Sequence, residues 1–214
     1  MFWNMTGRQK ETGTLDPAWT GDRTIILEDT PKDAEELKRA VDISDPGSVA
    51  AYFVYAVTFL AADQDAGMEM MKYLFADIEP FGKGFTEGGK SGRAGWDPYF
   101  NERLRSDEYR WLPRAYFAGA EAGNGFNPPL PLKVQLHYNE QNTSAANAQS
   151  AQQLGRINIV YWVTSNAAGN KVNITLSRFE GSDRWYVTSG ASSSALYYDQ
   201  RSALTPEVKE KLYR

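Results

Sequence analysis

The feature that most restricts this fold is a change of hydrophobic period part-way along the 214-residue chain. Up to Ile78 most apolar residues recur at helical spacing. From Leu132 onward they alternate with polar ones, the two-residue period of a half-buried strand. Helices followed by consecutive strands is the pattern of an α+β domain. One β-branched run, Thr24-Ile25-Ile26-Leu27-Glu28, precedes the helices and reads as a separate strand.

In the helical half, Thr30-Pro31-Lys32-Asp33 predicts a helix start. Thr30 serves as N-cap and Pro31 sits in the first turn, where a missing N–H costs nothing. Leu37, Ala40 and Val41 share a face. Asp45-Pro46 repeats the signal for a second helix, apolar nearly all round through Val49, Tyr52, Phe53, Ala56, Val57, Phe59 and Leu60. Such a helix is buried on most sides, so it is expected at the centre of the core. A third is expected over residues 65–78, with Met68, Met71, Phe75 and Ile78 on one stripe, and a short one over 98–107.

The strand half holds Leu132-Lys133-Val134-Gln135-Leu136-His137-Tyr138, Ile157-Asn158-Ile159-Val160-Tyr161-Trp162-Val163, Val172-Asn173-Ile174-Thr175-Leu176-Ser177, and residues 184–189. The links 166–170 and 180–183 are short and carry turn residues, which predicts an antiparallel meander. The link over 139–155, rich in Gln, Asn, Ser and Ala, reads as a mobile excursion. Alternation puts Gln135, His137, Asn158, Trp162, Asn173, Thr175 and Ser177 on the face away from the helices. That face is polar but weakly charged; it either lines a shallow pocket or meets water, the default for an antiparallel sheet covered on one side. Thr205-Pro206-Glu207-Val208 is a further helix start.

The chain has no cysteine, which excludes disulfides, a cysteine nucleophile and Cys-based metal sites. A net charge of −4 argues against general nucleic-acid binding, which needs a basic excess. The longest apolar run, 49–62, falls short of the roughly 20 residues of a membrane span. No basic segment followed by an apolar run opens the chain, so no signal peptide is visible and a cytoplasmic location is expected. Residues 1–21 read as a loose arm pinned by Trp3 and Trp19, and 22–214 as a single domain. Aromatic residues make up 13 % of the chain, which suits a well-filled core or a binding surface.

The sharpest motif lies in the glycine-rich stretch 82–95. Gly84-Phe85-Thr86-Glu87-Gly88-Gly89-Lys90-Ser91 satisfies the phosphate-loop pattern, in which backbone amides cradle phosphates, Lys90 would reach the outer phosphates and Ser91 would hold magnesium. That chemistry requires a strand before the loop and a helix after it. Here a helical stripe precedes it and Gly92-Arg93-Ala94-Gly95 makes a poor first turn. The pattern therefore reads as a basic-flecked loop, with Gly84, Gly89, Lys90 and Ser91 as weak phosphate candidates.

Asp63-Gln64-Asp65-Ala66-Gly67 begins like a calcium loop, but Gly67 and Leu74 occupy positions where that loop needs oxygen ligands, so no metal site is expected. His137 is the only histidine, which excludes multi-histidine metal sites, and it reads as a solvent-facing residue. The carboxylates, among them Asp97, Glu102 and Asp107, show no spacing that selects a catalytic pair. Asn142-Thr143-Ser144 and Asn173-Ile174-Thr175 fit the short glycosylation pattern and are read as ordinary polar residues.

Trp111-Leu112-Pro113-Arg114-Ala115-Tyr116-Phe117-Ala118-Gly119-Ala120 followed by Asn124-Gly125-Phe126-Asn127-Pro128 resembles a motif of an uncharacterised bacterial domain-of-unknown-function family. The order of helices before and meander after is similar, as is the turn Ser189-Gly190-Ala191-Ser192. The resemblance covers about residues 30–200 and implies no activity and no catalytic residues. Physically, Pro113 breaks a helix, Gly119, Gly123 and Gly125 permit a chain reversal, and Tyr116, Phe117 and Phe126 anchor it on the core.

The expectation is thus an α+β fold, a helical N-terminal half on one face of a C-terminal antiparallel meander. A cone-like sheet of the nuclear-transport-factor-2-like or cystatin-like kind is the nearest architecture, by analogy of fold alone. Two function classes fit. One is a non-catalytic binding or interaction module for a protein or small molecule, without a cofactor. The other is an enzyme or small-ligand protein with a pocket on the sheet's polar face, near His137, Trp162 and Tyr186.

Overall fold

The computed structural model describes residues 15–75, 106–107, 109–151, 156–167, 169–189 and 205–212. Five strands form one antiparallel sheet in spatial order β1 (Arg23–Leu27), β2 (Leu132–Tyr138), β3 (Arg156–Thr164), β4 (Lys171–Phe179), β5 (Trp185–Ser189). Between β1 and β2 the chain forms α1 (Ala34–Ala40), α2 (Pro46–Phe59) and α3 (Gln64–Leu74). Helix α4 (Glu140–Ala151) follows β2, and α5 (Pro206–Leu212) lies near the C-terminus. This is the expected α+β class, with β1 added to the meander's edge. No described helix is long and apolar enough to cross a membrane.

Helix α2 is the centre of the core, as its all-round apolar sequence requires. Every residue from Pro46 to Val57 is buried. The Asp45 carboxylate caps it by accepting from Gly47 N at 3.0 Å and also takes both arms of the Arg23 guanidinium on β1, the Nη2–Oδ2 bond being 2.8 Å. One side chain thus ties the helix start to the sheet. A Cβ on Gly47 would lie 2.5 Å from Arg23 Nη1, so glycine is what lets the guanidinium approach. Below α2, the sheet's core face is built from Leu27, Val134, Leu136, Ile159, Tyr161, Ile174, Leu176 and Val187. Trp19 packs edge-on to Trp185 with centroids 5.4 Å apart, and its carbonyl accepts from Tyr161 Oη at 2.8 Å.

The 111–128 motif is a packed reversal. Trp111 stacks on Phe126 with centroids 4.6 Å apart, Phe117 bridges to Val134 on β2, and Gly119 and Gly125 have φ of 79° and 64°. Asn124 holds the turn by donating to Gly119 O and accepting from Glu121 N.

Two expectations are corrected. Helix α1 starts at Asp33 rather than Thr30. Asp33 accepts from Glu36 N, a first-turn donor, while the Glu36 side chain reaches back to accept from Lys32 N just ahead of the helix, both at 2.8 Å. Pro31 stays in the loop, its carbonyl accepting from Tyr55 Oη at 2.7 Å. The second correction is the link 139–155: most of it is helix α4. Asn139 starts that helix by accepting from Asn142 N through its side chain at 3.1 Å. The third helix is observed to Leu74; Ile78, the glycine-rich stretch, most of the helix expected over 98–107, and Trp3 lie outside the described residues.

Candidate functional site

Helix α4 lies where β2 stops. The β2–β3 ladder pairs only His137 with Trp162 and Tyr138 with Tyr161, so among the described residues the first half of β3 has no strand on its β2 side. Side chains of α4 take the strand's place. Asn147 accepts from Asn158 N at 2.7 Å and donates to Asn158 O at 3.0 Å, as a paired strand residue would. Thr143 Oγ1 accepts from Val160 N at 2.9 Å, and Asn139 N donates to Val160 O at 2.9 Å.

A cleft of about 310 Å³ remains between α4 and the sheet's polar face. Asn142, Ala145, Ala146 and Gln149 form its helix wall. The sheet wall is Arg156, Asn158 and Val160 on β3, Asn173 and Thr175 on β4, and Thr188 on β5. These strand residues share a face because Asn158 opposes Ser177, Val160 opposes Thr175, and a bulge at Thr175/Leu176 shifts β5 by one residue.

Behind the lining runs a buried polar network of fixed direction. Asn158, 1 % exposed, donates to Ser150 Oγ at 2.7 Å and accepts from Ser177 Oγ at 2.6 Å. Ser177 thereby uses its one proton, so the 2.6 Å contact with Thr188 must be a donation from Thr188. Thr188 is left with oxygen lone pairs as acceptors. Asn173 Oδ1 accepts from Asn139 at 3.2 Å, which leaves the Asn173 amide protons as donors. Arg156 Nε donates to Ser150 Oγ at 2.9 Å, and burial holds its guanidinium pKa below the ordinary arginine value.

The residues singled out from sequence are arranged differently. His137 and Trp162 are cross-strand partners with ring centroids 5.9 Å apart, and Lys171 Nζ sits 4.6 Å over the Trp162 ring. His137 is one-third exposed and its Nδ1 lies 2.9 Å from Asp22, whose carboxyl this contact pulls below its usual range. Tyr186 does not join them. It opposes Ser177, meets Phe179 edge-to-face and lies under the Arg184 guanidinium, whose Cζ is 4.7 Å from the ring centroid. None of the three lines the cleft. Gly84, Gly89, Lys90 and Ser91 lie outside the described residues.

Sequence reasoning missed Asn142, Gln149, Arg156 and the α4 anchors. A signal exists: Asn139, Thr143, Asn147 and Ser150 recur at helical spacing, a stripe of small hydrogen-bonding residues instead of apolar ones. A second cavity of about 420 Å³ lies between Tyr55, Phe59 and Trp111, but its arginines are engaged, Arg110 with Asp107 and Arg114 with Asn127. Among the described residues no group of three His, Asp or Glu could hold a metal ion.

No curated protein and no solved structure matches the chain. A family model matches residues 29–203, spanning α1 to β5, and by that match the chain belongs to the family described as Domain of unknown function (DUF6935).

Proposed function

We propose that this chain is a non-catalytic binding module whose cleft between α4 and the polar sheet face takes a small polar ligand. The observation that carries the reading is the pre-set polarity of the lining. Thr188 is fixed as an acceptor and Asn173 as a donor by bonds made behind them. Groups held in advance lose little entropy when a ligand meets them. A volume of about 310 Å³ is at the lower end of the range of small-molecule sites, roughly 300–1,000 Å³. Backbone-directed spectra recorded against a panel of polyols, sugars, amino acids and small acids test it. Binding should perturb Asn142, Asn173 and Thr188 together, and T188V should weaken it about tenfold. A panel in which no compound moves those residues sinks the reading.

A second reading, an enzyme on the same face, is favoured by one contact, the 2.9 Å pairing of His137 Nδ1 with Asp22. A carboxylate there orients the ring and fixes its tautomer, which would equip the other nitrogen as a base. Turnover of any ester, glycoside or phosphomonoester that H137Q abolishes would establish it and displace the non-catalytic reading.

A further inference from the structure

We infer that the cleft's ligand is a neutral polyol of single-ring size, a hexose or a cyclitol, held through hydroxyls on adjacent carbons by Asn173, Thr175 and Thr188. The inference rests on the binding-module reading and adds to it the ligand's charge and class. Three features of the cleft support it.

The first is the kind of hydrogen-bonding group on offer. Asn173 has amide protons to give and Thr188 has lone pairs to share. The Thr175 hydroxyl on the same sheet face serves either way, and Asn142 and Gln149 on the helix wall carry both kinds on one amide. A hydroxyl donates and accepts, so adjacent hydroxyls present both kinds side by side. A carboxylate only accepts and an ammonium only donates, so each leaves one kind of lining group unmet.

The second is charge. Arg156 is the one ionisable residue in the described lining, and it is engaged: its Nε bonds Ser150 at 2.9 Å, and it has a further interaction besides. Ser150 is itself 2 % exposed and held by Ala146 O and Asn158, so Arg156 serves to clasp the end of α4 to β3. The ligand therefore meets amides and hydroxyls. A charged group entering such a site loses water that neutral partners replace poorly, a cost that a hydroxyl avoids.

The third is shape. Val160 on the sheet and Ala145 and Ala146 on the helix supply apolar contact on opposite walls, matched to the C–H faces of a saturated ring. No aromatic ring belongs to the described lining, so a planar base has nothing there to stack on. A volume of about 310 Å³ suits one ring better than a chain of them.

Calorimetric titration of the full chain with D-glucose, D-galactose, myo-inositol, D-glucuronate, D-glucosamine and cyclohexanol tests this, with D-glucosamine kept below the pKa of its amine. At least one of the three neutral polyols should bind. The two charged sugars and the one-hydroxyl ring should each be on the order of tenfold weaker or more. N173D, which turns an exposed donor into an acceptor, should weaken the neutral ligand by about tenfold and narrow or reverse its lead over D-glucosamine. T175V, which keeps the shape and removes a hydroxyl, should weaken it too and covers the case in which N173D does not fold. A charged sugar binding as tightly as the best neutral polyol, cyclohexanol matching it, or neutral affinity unchanged in both variants would overturn the inference and leave the cleft reading intact. Silence from all three neutral polyols also overturns it, while the cleft reading fails only on the wider ligand panel.

Discussion

Asn158 has two backbone groups turned toward α4, and the single amide of Asn147 meets both. Removing that amide strands a buried donor and a buried acceptor. We expect N147A to lose about 2–4 kcal/mol by chemical denaturation, more than an exposed amide would cost. Two tyrosines carry a pH signature. Burial pushes the phenols of Tyr55 and Tyr161 up to about 12, above the ordinary 10 that the unfolded chain retains. Both are neutral in either state below pH 10, so stability there is unaffected. Between pH 10 and 12 the unfolded chain loses these protons first, and stability falls as pH rises. The loss should approach roughly 2–3 kcal/mol per tyrosine, measured as denaturation midpoints against pH, with Y161F showing a shallower fall. An unchanged slope in Y161F would refute the assignment.

At the scale of elements, the strands were readable because each buries alternate residues, and the four in the C-terminal half were placed within one or two residues of their observed ends. Helix α2 was readable for the opposite reason, burial on all sides. Helix α4 was not, because it faces a polar surface. Its anchors are Thr143 and Asn147 bonded to backbone, and no apolar stripe marks it. The cleft was half readable: the polar face could be derived from alternation, but the wall that turns it into a cleft is α4. The α2–α3 crossing gives a separate prediction. A Cβ on Gly67 would meet the Leu60 Cα and N at 2.9 Å, backbone atoms that cannot swing aside. Alanine gains about 1 kcal/mol of helix propensity there, yet overpacking costs typically 1–3 kcal/mol, so G67A should be net destabilising or at best neutral. A clear rise in the thermal midpoint would show that the two helices can part.

At the scale of the molecule, α2 touches the sheet, α3 and the 112–116 turn, and Asp45 joins its start to β1. We propose that residues 22–214 unfold as one cooperative unit. Circular dichroism and tryptophan fluorescence should then give coincident transitions, and separated midpoints would argue for two units.

The side-chain ladder from α4 also bears on self-association. A strand with unpaired backbone groups is a template for another chain, and Ile157-Asn158-Ile159-Val160-Tyr161 is an uncharged, β-prone segment of the kind that stacks. Here a helix guards it with two side chains, so the guard can be lifted without unfolding the domain. N147A should therefore aggregate on agitation well below its unfolding temperature, with wild type remaining monodisperse. A soluble N147A at the same fraction folded would mean that Thr143 and the packing of α4 suffice to keep the strand closed.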